Sequence, residues 1–254
     1  MPARSRAPER SDLVVGRQPV LELLRTDHPV ERVLIARGAS MTGTLGEIRR
    51  RASERAVPTR VVPRGEIDKL ARELNHQGVV AVTTRFRYTP IEELLKRDDP
   101  ALLFLDGITD PQNLGSLLRS ADAGGLAGLV VPAHGGVGVT PTVRKVAAGA
   151  AEFVPIARVG NLGQAIQQAK GAGLWIVGLD QDAEHDVWSS DLLEPPVGLV
   201  LGAEGKGLSP KLRERCDGLI RIPQQGRVAS LNVAVAGAIA IFEIARRKGR
   251  SATL

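Results

Sequence analysis

Short apolar runs alternate along the chain with longer stretches whose apolar positions recur every third or fourth residue. The short runs have the Val, Ile and Leu content of buried strands; the longer stretches have the period of covering helices. In the first third this predicts strands at 14–15, 33–35, 60–62 and 79–84 and helices at 20–24, 45–56 and 66–74. Glu47 and Arg51 stand four apart on the second helix, where they support one another. From residue 101 the pattern predicts strands at 102–105, 129–131, 153–156, 174–179, 197–201 and 219–222. Helices between them fit 113–124, 142–149, 162–172, 209–216 and 230–247. The class is α/β, with a mostly parallel sheet covered on both faces in the larger part. Residues 85–100 hold Arg85, Arg87, Pro90, a short helical stretch at 91–95 and the charged run Lys96-Arg97-Asp98-Asp99. They are expected to be a linker between an 11–84 domain and a 101–254 domain, with residues 1–10 a disordered tail. A fragment starting near Asp99 is then expected to fold alone.

Three of the predicted junctions share one form: strand, polar loop, helix start. The first runs through Asp106, Asp110, Pro111 and Asn113 to Arg119. The second is Gly202-Ala203-Glu204-Gly205-Lys206-Gly207, a glycine-rich loop with one carboxylate and one ammonium. The third passes Ile222, Pro223 and Gly226 to Ser230-Leu231-Asn232, where Ser230 is a good helix N-cap. Such junctions expose backbone N–H groups and suit a nucleotide-like ligand. A capped core helix fits the third equally well. No G-x-G-x-x-G follows the first strand of the larger part, and the 202–207 loop lacks the P-loop spacing, so NAD and ATP are poorly supported. His28, His76, His134 and His185 have no metal-ligand spacing, and no metal is expected.

Composition narrows the partner. Net charge is +6 and the isoelectric point is about 10.0, which favours a polyanion. Residues 1–100 hold 19 Lys and Arg against 14 Asp and Glu, whereas residues 101–254 hold 15 against 14. The basic surplus thus sits in the first hundred residues. Aromatics are only 3%, which disfavours base stacking on an aromatic platform. Cys216 is the only cysteine, so no intramolecular disulfide forms. No apolar segment follows Met1, and the apolar run 228–245 is broken by Ser230, Asn232 and Glu243. A cytoplasmic protein with no membrane partner is expected.

In this order the three junctions resemble the three motifs of the SpoU (TrmH) family of RNA ribose 2′-O-methyltransferases, over residues 101–248. Residues 13–84 resemble the small RNA-binding domain of members that act on large-subunit ribosomal RNA. The resemblance implies a C-terminal trefoil knot (the SPOUT fold), S-adenosylmethionine as cofactor, RNA as substrate and a homodimer with the site near its interface. It implies catalytic parts for Asn113, Arg119, Glu204, Ser230 and Asn232, and cofactor contacts from Gly202, Gly205, Ile222 and Leu231. Gly202 and Gly205 would let backbone approach the adenosyl group, although tight chain packing also calls for glycine. An arginine base is hard to accept, because guanidinium stays protonated; Arg119 is expected to grip an RNA phosphate instead. Glu204 is expected to orient Arg119 or Asn113. In the small domain Arg17, Asn75, His76 and Gln77 are expected to contact RNA, although Asn75 to Gly78 also reads as a turn. The final helix carries Ala229, Ala234, Ala236, Gly237, Ala238, Ala240 and Ala245, small enough for close helix approach within a fold or between chains. The implied substrate is a guanosine of 23S rRNA; a tRNA substrate, or a non-catalytic RNA-binding or assembly role, are the alternatives.

Overall fold

The computed structural model describes residues 13–26, 28–40, 42–72, 74–83, 86–226 and 230–251. The expected tail at 1–10, Arg85, and residues 227–229 with Ala229 lie outside the described residues. The chain forms two compact units.

The smaller unit begins with β1 (Leu13–Val15), α1 (Arg17–Arg25), β2 (Val30–Ala36), α2 (Thr44–Glu54), β3 (Thr59–Val62), α3 (Arg64–Ala71) and β4 (Val79–Thr83). Its sheet has the order β1-β4-β2-β3. β4 is antiparallel to β1 and β2, and β2 is parallel to β3, so β1, β2 and β3 all run the same way. Alternation along β2 sorts side chains to two faces. Val33 and Ile35 join Val20, Leu23, Leu45 and Ile48 under α1 and α2. Leu34 and Ala36 join Ile67 and Ala71 under α3.

The larger unit holds α4 (Ile91–Leu95), β5 (Ala101–Leu105), α5 (Pro111–Ala123) and β6 (Gly128–Pro132). After α6 (Pro141–Val146) come β7 (Ile156–Val159), α7 (Leu162–Gly171), β8 (Trp175–Leu179), β9 (His185–Asp186), β10 (Val197–Leu201), α8 (Pro210–Arg213), β11 (Gly218–Arg221) and α9 (Val233–Ser251). Its seven strands lie in the order β7-β6-β5-β10-β8-β11-β9, and every neighbouring pair is parallel. Phe104, Val130, Ile176 and Val200 meet Ile166 and Ala169 of α7 in one core. Among the described residues no helix is long and apolar enough to cross a membrane.

The division of the chain differs from the one its composition suggests. Val139–Phe153, with α6, packs in the smaller unit. Arg144 of α6 is 1% exposed. Its Nε stands 3.5 Å from a Glu152 carboxylate oxygen, its Nη1 donates to Thr83 Oγ1 at 3.2 Å, and its guanidinium lies 5.4 Å from the centre of the Phe86 ring. Nor is 85–100 a free linker. Leu94 is 0% exposed within the larger unit's core, and Thr89 N–H donates to the Ile156 carbonyl of β7 at 2.8 Å. Proline and charge mark where a chain is exposed, not which unit its apolar residues enter.

Some elements also shift. The apolar run 153–156 is not a strand; the chain leaves a 3-10 turn at Ala150–Glu152 with Phe153 exposed, and pairing begins only at Ile156, after Pro155, which has no N–H to give. β9 is too short to show in a period. α8 is shorter than the 209–216 pattern. The last helix is capped by Asn232, not Ser230: Asn232 Oδ1 accepts from Ala234 N–H at 2.9 Å and Val235 N–H at 3.3 Å. Small residues bring α5 and α9 together. A Cβ on Gly237 would stand 2.5 Å from Leu117, and one on Gly124 2.5 Å from Ile241. The smallness of Gly237 is therefore used inside the chain.

Candidate active site

From β5 the sheet grows one way through β6 and β7 and the other way through β10, β8 and β11. Parallel sheets bind ligands beyond the carboxyl ends of their strands, near such a reversal. A cavity of about 460 Å³ lies there, touching Leu179, Leu201 and Ile222 at the ends of β8, β10 and β11. That is within the range that holds a cofactor-sized molecule.

Each loop is shaped locally. In the second motif Gly207 N–H donates to the Ala203 carbonyl at 2.8 Å, and Gly205 and Gly207 take φ of +75° and +65°. These are left-handed values that glycine adopts without strain. Gly202 has a different reason. A Cβ there would stand 2.0 Å from the Gly207 carbonyl carbon, so backbone packs against backbone. Of the two readings of Gly202, tight chain packing is visible in the loop itself, while Gly202 also lines the cavity with Gly205, Ile222 and Leu231. Asp106, from the first motif, fastens the loop's far end by accepting from Ser209 N–H at 2.9 Å.

The three motifs meet in a hydrogen-bonded row. Asn232 Nδ2 donates to Asn113 Oδ1 at 3.0 Å, and Asn113 Nδ2 donates to Glu204 Oε2 at 3.2 Å. Asn113 is 7% exposed at the start of α5, while Glu204 and Ser230 line the cavity. The Asn232 side chain thus both caps the helix and holds Asn113, which in turn orients the Glu204 carboxylate. Arg119 is elsewhere. It lies six positions beyond Asn113, about 240° round the helix. It is exposed, does not line the cavity, and has no hydrogen-bond or ion-pair partner among the described residues. Glu204 therefore orients Asn113, not Arg119, within one chain.

Sequence reasoning passed over part of the lining. Asp180, Gln181 and Asp182 follow β8 directly, and Lys206 and Gln224 stand within the quoted loops. Asp180 Oδ1 accepts from Asp182 N–H at 2.9 Å, and its Oδ2 accepts from Arg213 Nε at 2.8 Å. Only the strand order, which seats β8 beside β10, makes these residues neighbours of the motifs. Cys216 lies under Gly178, and burial pushes its thiol up to about 11, so it stays protonated and unreactive. Among the described residues no group of three or more His, Cys, Asp or Glu side chains could hold a metal ion.

In the smaller unit Arg17 and Gln77 are joined. Arg17 N–H donates to Gln77 Oε1 at 3.2 Å and Arg17 Nε to the Gln77 carbonyl at 3.0 Å. Asn75 and Gln77 are exposed, but His76 is buried. Its Nδ1 accepts from Gly78 N–H at 3.0 Å, which leaves Nε2 as the N–H that donates to Asp68 at 2.8 Å. With both ring nitrogens taken, His76 holds the loop in place and presents no free edge to a ligand.

Residues 100–242 match the SpoU rRNA Methylase family, and residues 13–89 match the RNA 2′-O ribose methyltransferase substrate binding domain. The chain belongs to the SpoU family of RNA methyltransferases. It is 39% identical to the 23S rRNA (guanosine-2′-O-)-methyltransferase RlmB of Shewanella oneidensis, over 94% of this chain and 99% of that protein. It is 36% identical to YacO of Bacillus subtilis, named as a TrmH family tRNA/rRNA methyltransferase, over 94% of this chain and 97% of that one. Among solved structures, the S-adenosylmethionine-bound rRNA methyltransferase of Sinorhizobium meliloti superposes with a TM-score of 0.79 at 27% identity, covering 93% of this chain and 87% of the other. Family membership and these structures imply the SPOUT fold for the larger unit.

Proposed function

We propose that this SpoU-family enzyme methylates a ribose 2′-hydroxyl of 23S rRNA, on a guanosine, with S-adenosylmethionine as donor. The observation that carries the reading is the Asn232–Asn113–Glu204 row beside a cofactor-sized cavity, which joins all three motifs at one place. The residues present fit the donor. Ile222 and Leu231 offer apolar walls, the 202–207 loop offers backbone, and Glu204, Asp180 and Asp182 offer carboxylates to a positively charged ligand. When bound, S-adenosylmethionine supplies a methyl group on a positively charged sulfur. The chain's own part is alignment of the hydroxyl and management of its proton. Glu204, held by Asn113, and Ser230 present polar atoms to the cavity for that purpose.

Arg119 needs a second copy of the chain to meet a cavity. On α9, Val235 and Phe242 are 50% and 52% exposed and seven positions apart, with Ala238 and Ile239 half-buried between them. This apolar stripe supports a homodimer in which Arg119 of one protomer grips the RNA phosphate at its partner's site. The 39% relative favours 23S rRNA over tRNA. The test is methyl transfer from labelled S-adenosylmethionine by purified protein to 23S rRNA and to tRNA, with nuclease digestion to nucleosides and primer extension to map the position. Label on 2′-O-methylguanosine from 23S rRNA is expected. Label on a base, or on tRNA alone, would sink the reading. Light scattering at working concentrations should give a dimer mass, and a monomer would remove the role given to the partner.

A further inference from the structure

The three parallel strands of the small sheet end alike. β1 stops at Val15 and Arg17 follows; β2 stops at Ala36 and Arg37 follows; β3 stops at Val62 and Arg64 follows. Because the strands run the same way, all three arginines arrive at the same end of the strands. There they line a cavity of about 540 Å³. β4, entering from the opposite direction, adds Gln77 and Gly78 to its wall, and Ser40 adds a hydroxyl. No carboxylate lines the cavity, and among the described residues none pairs with Arg17, Arg37 or Arg64. The bond from Arg17 Nε to the Gln77 carbonyl fixes that guanidinium and leaves its terminal nitrogens without a partner among the described residues. α1 and α3 both start at the cavity, where Gly16 and Pro63 supply no side-chain cap, and the first N–H of α1, on Arg17, is taken by Gln77 Oε1 at 3.2 Å. Three arginines lining one cavity that no carboxylate lines suit an anion with several oxygens. No aromatic residue lines the cavity, so it offers no stacking surface for a base.

We propose that this cavity is a phosphate pocket, in which Arg17, Arg37 and Arg64 hold a backbone phosphate of the RNA substrate at a nucleotide other than the methylated one. The proposal rests on the reading of the enzyme as an RNA methyltransferase and adds the residues and chemistry by which the small unit holds RNA. His76 acts as a positioning residue, since its bonds to Gly78 and Asp68 set the wall on which Gln77 stands. Recognition of this kind is independent of base identity and falls with salt.

The test uses the full chain with Arg37→Ala/Arg64→Ala and Arg37→Lys/Arg64→Lys. Both residues are exposed, so neither variant should disturb the core, and calorimetric binding of S-adenosylmethionine checks the larger unit. Anisotropy of a labelled rRNA fragment is followed across salt, with inorganic phosphate as competitor and Arg Nε–H NMR signals recorded during phosphate addition. For the alanine pair we expect RNA affinity to fall roughly tenfold or more, and the salt slope to shrink by about one to two charges. The KM for RNA should rise more than kcat falls, and the lysine pair should recover part of the loss. Unchanged affinity and slope would overturn the pocket. Phosphate-induced shifts at Arg37 and Arg64 with unchanged RNA affinity would make a free phosphate compound the occupant and overturn RNA as its source. Wild-type protein that methylates no RNA would sink the proposed function, whereas active wild type with indifferent variants would sink only this inference.

Discussion

A methyl group on Gly202 would collide with the backbone of its own loop, 2.0 Å from the Gly207 carbonyl carbon. Backbone cannot step aside as a flexible side chain can. Gly202→Ala is therefore expected to cost about 3 kcal/mol or more and to weaken S-adenosylmethionine binding, as read by thermal melting and calorimetry. An intact melt with intact binding would refute the packing role. Asn232 serves two ends through one amide: Oδ1 caps α9 and Nδ2 holds Asn113. Asn232→Asp keeps an acceptor for the cap and loses the donor. Stability should stay within about 1 kcal/mol, while turnover should fall at least about tenfold. Equal losses of both would show that the row is only structural. Arg119 is exposed and away from the cavity of its own chain. Arg119→Ala should lower turnover by roughly a hundredfold or more with cofactor affinity within a few-fold, since the contact proposed for it with RNA would be used mainly in the transition state. Near wild-type turnover would remove it from the mechanism.

At the scale of elements, α9 closes the larger unit at both ends. Its start is capped within the motif row, and its middle packs on α5 through Gly237. Its end is fixed by Glu243, which accepts from Arg246 Nη2 and Arg247 Nε, each at 2.7 Å; Arg247 in turn reaches Glu194 and the Trp188 carbonyl. The hydrogen bond from Arg246 first, and that from Arg247 after it, hold the Glu243 carboxyl below its usual 4.5, against the opposing effect of burial. A carboxylate with a lowered folded value adds stability above its ordinary range, and that stability is lost as pH falls through the folded value. The melting temperature of the wild type should therefore fall more steeply than that of Glu243→Gln as pH drops below 4.5. Parallel curves would mean that the pairing contributes nothing. Near neutral pH the substitution should cost on the order of 1–3 kcal/mol, because it weakens the contacts of the buried Arg247.

At the scale of the molecule, the chain passes between units three times, after Arg87, after Gly138 and after Phe153. A fragment beginning near Asp99 would keep 139–153 and lose the unit in which that segment packs. Glu152 and Arg144 are buried there together, with burial pushing the Glu152 carboxyl up and Arg144 opposing it. Arg144 would also lose Thr83 and Phe86. Contrary to what the linker-like composition of 85–100 leads one to expect, this fragment should melt at lower temperature than the full chain. It should lose hydrogen-exchange protection at 139–153 and associate through the exposed face. A monodisperse fragment with 139–153 still protected would show that the segment folds with the larger unit.

Hydrophobic periodicity by itself determined the class, most of the strands of both sheets, and the three strand-loop-helix junctions, because each depends on residues near one another in sequence. The resemblance of those junctions to the SpoU motifs named Asn113, Glu204, Ser230 and Asn232, and the structure brings the three motifs together. The charge bias of the first hundred residues pointed to the unit that carries Arg17, Arg37 and Arg64. What the tertiary structure decided depends on neighbours far apart in the chain. Strand order put Asp180 and Glu204 on one cavity, and strand direction set three arginines at one end of the small sheet. Packing assigned 139–153 to the smaller unit, buried His76, and gave the cap of α9 to Asn232. A one-dimensional pattern records which faces must be buried, but the partner that buries each face is chosen only when the whole chain has folded.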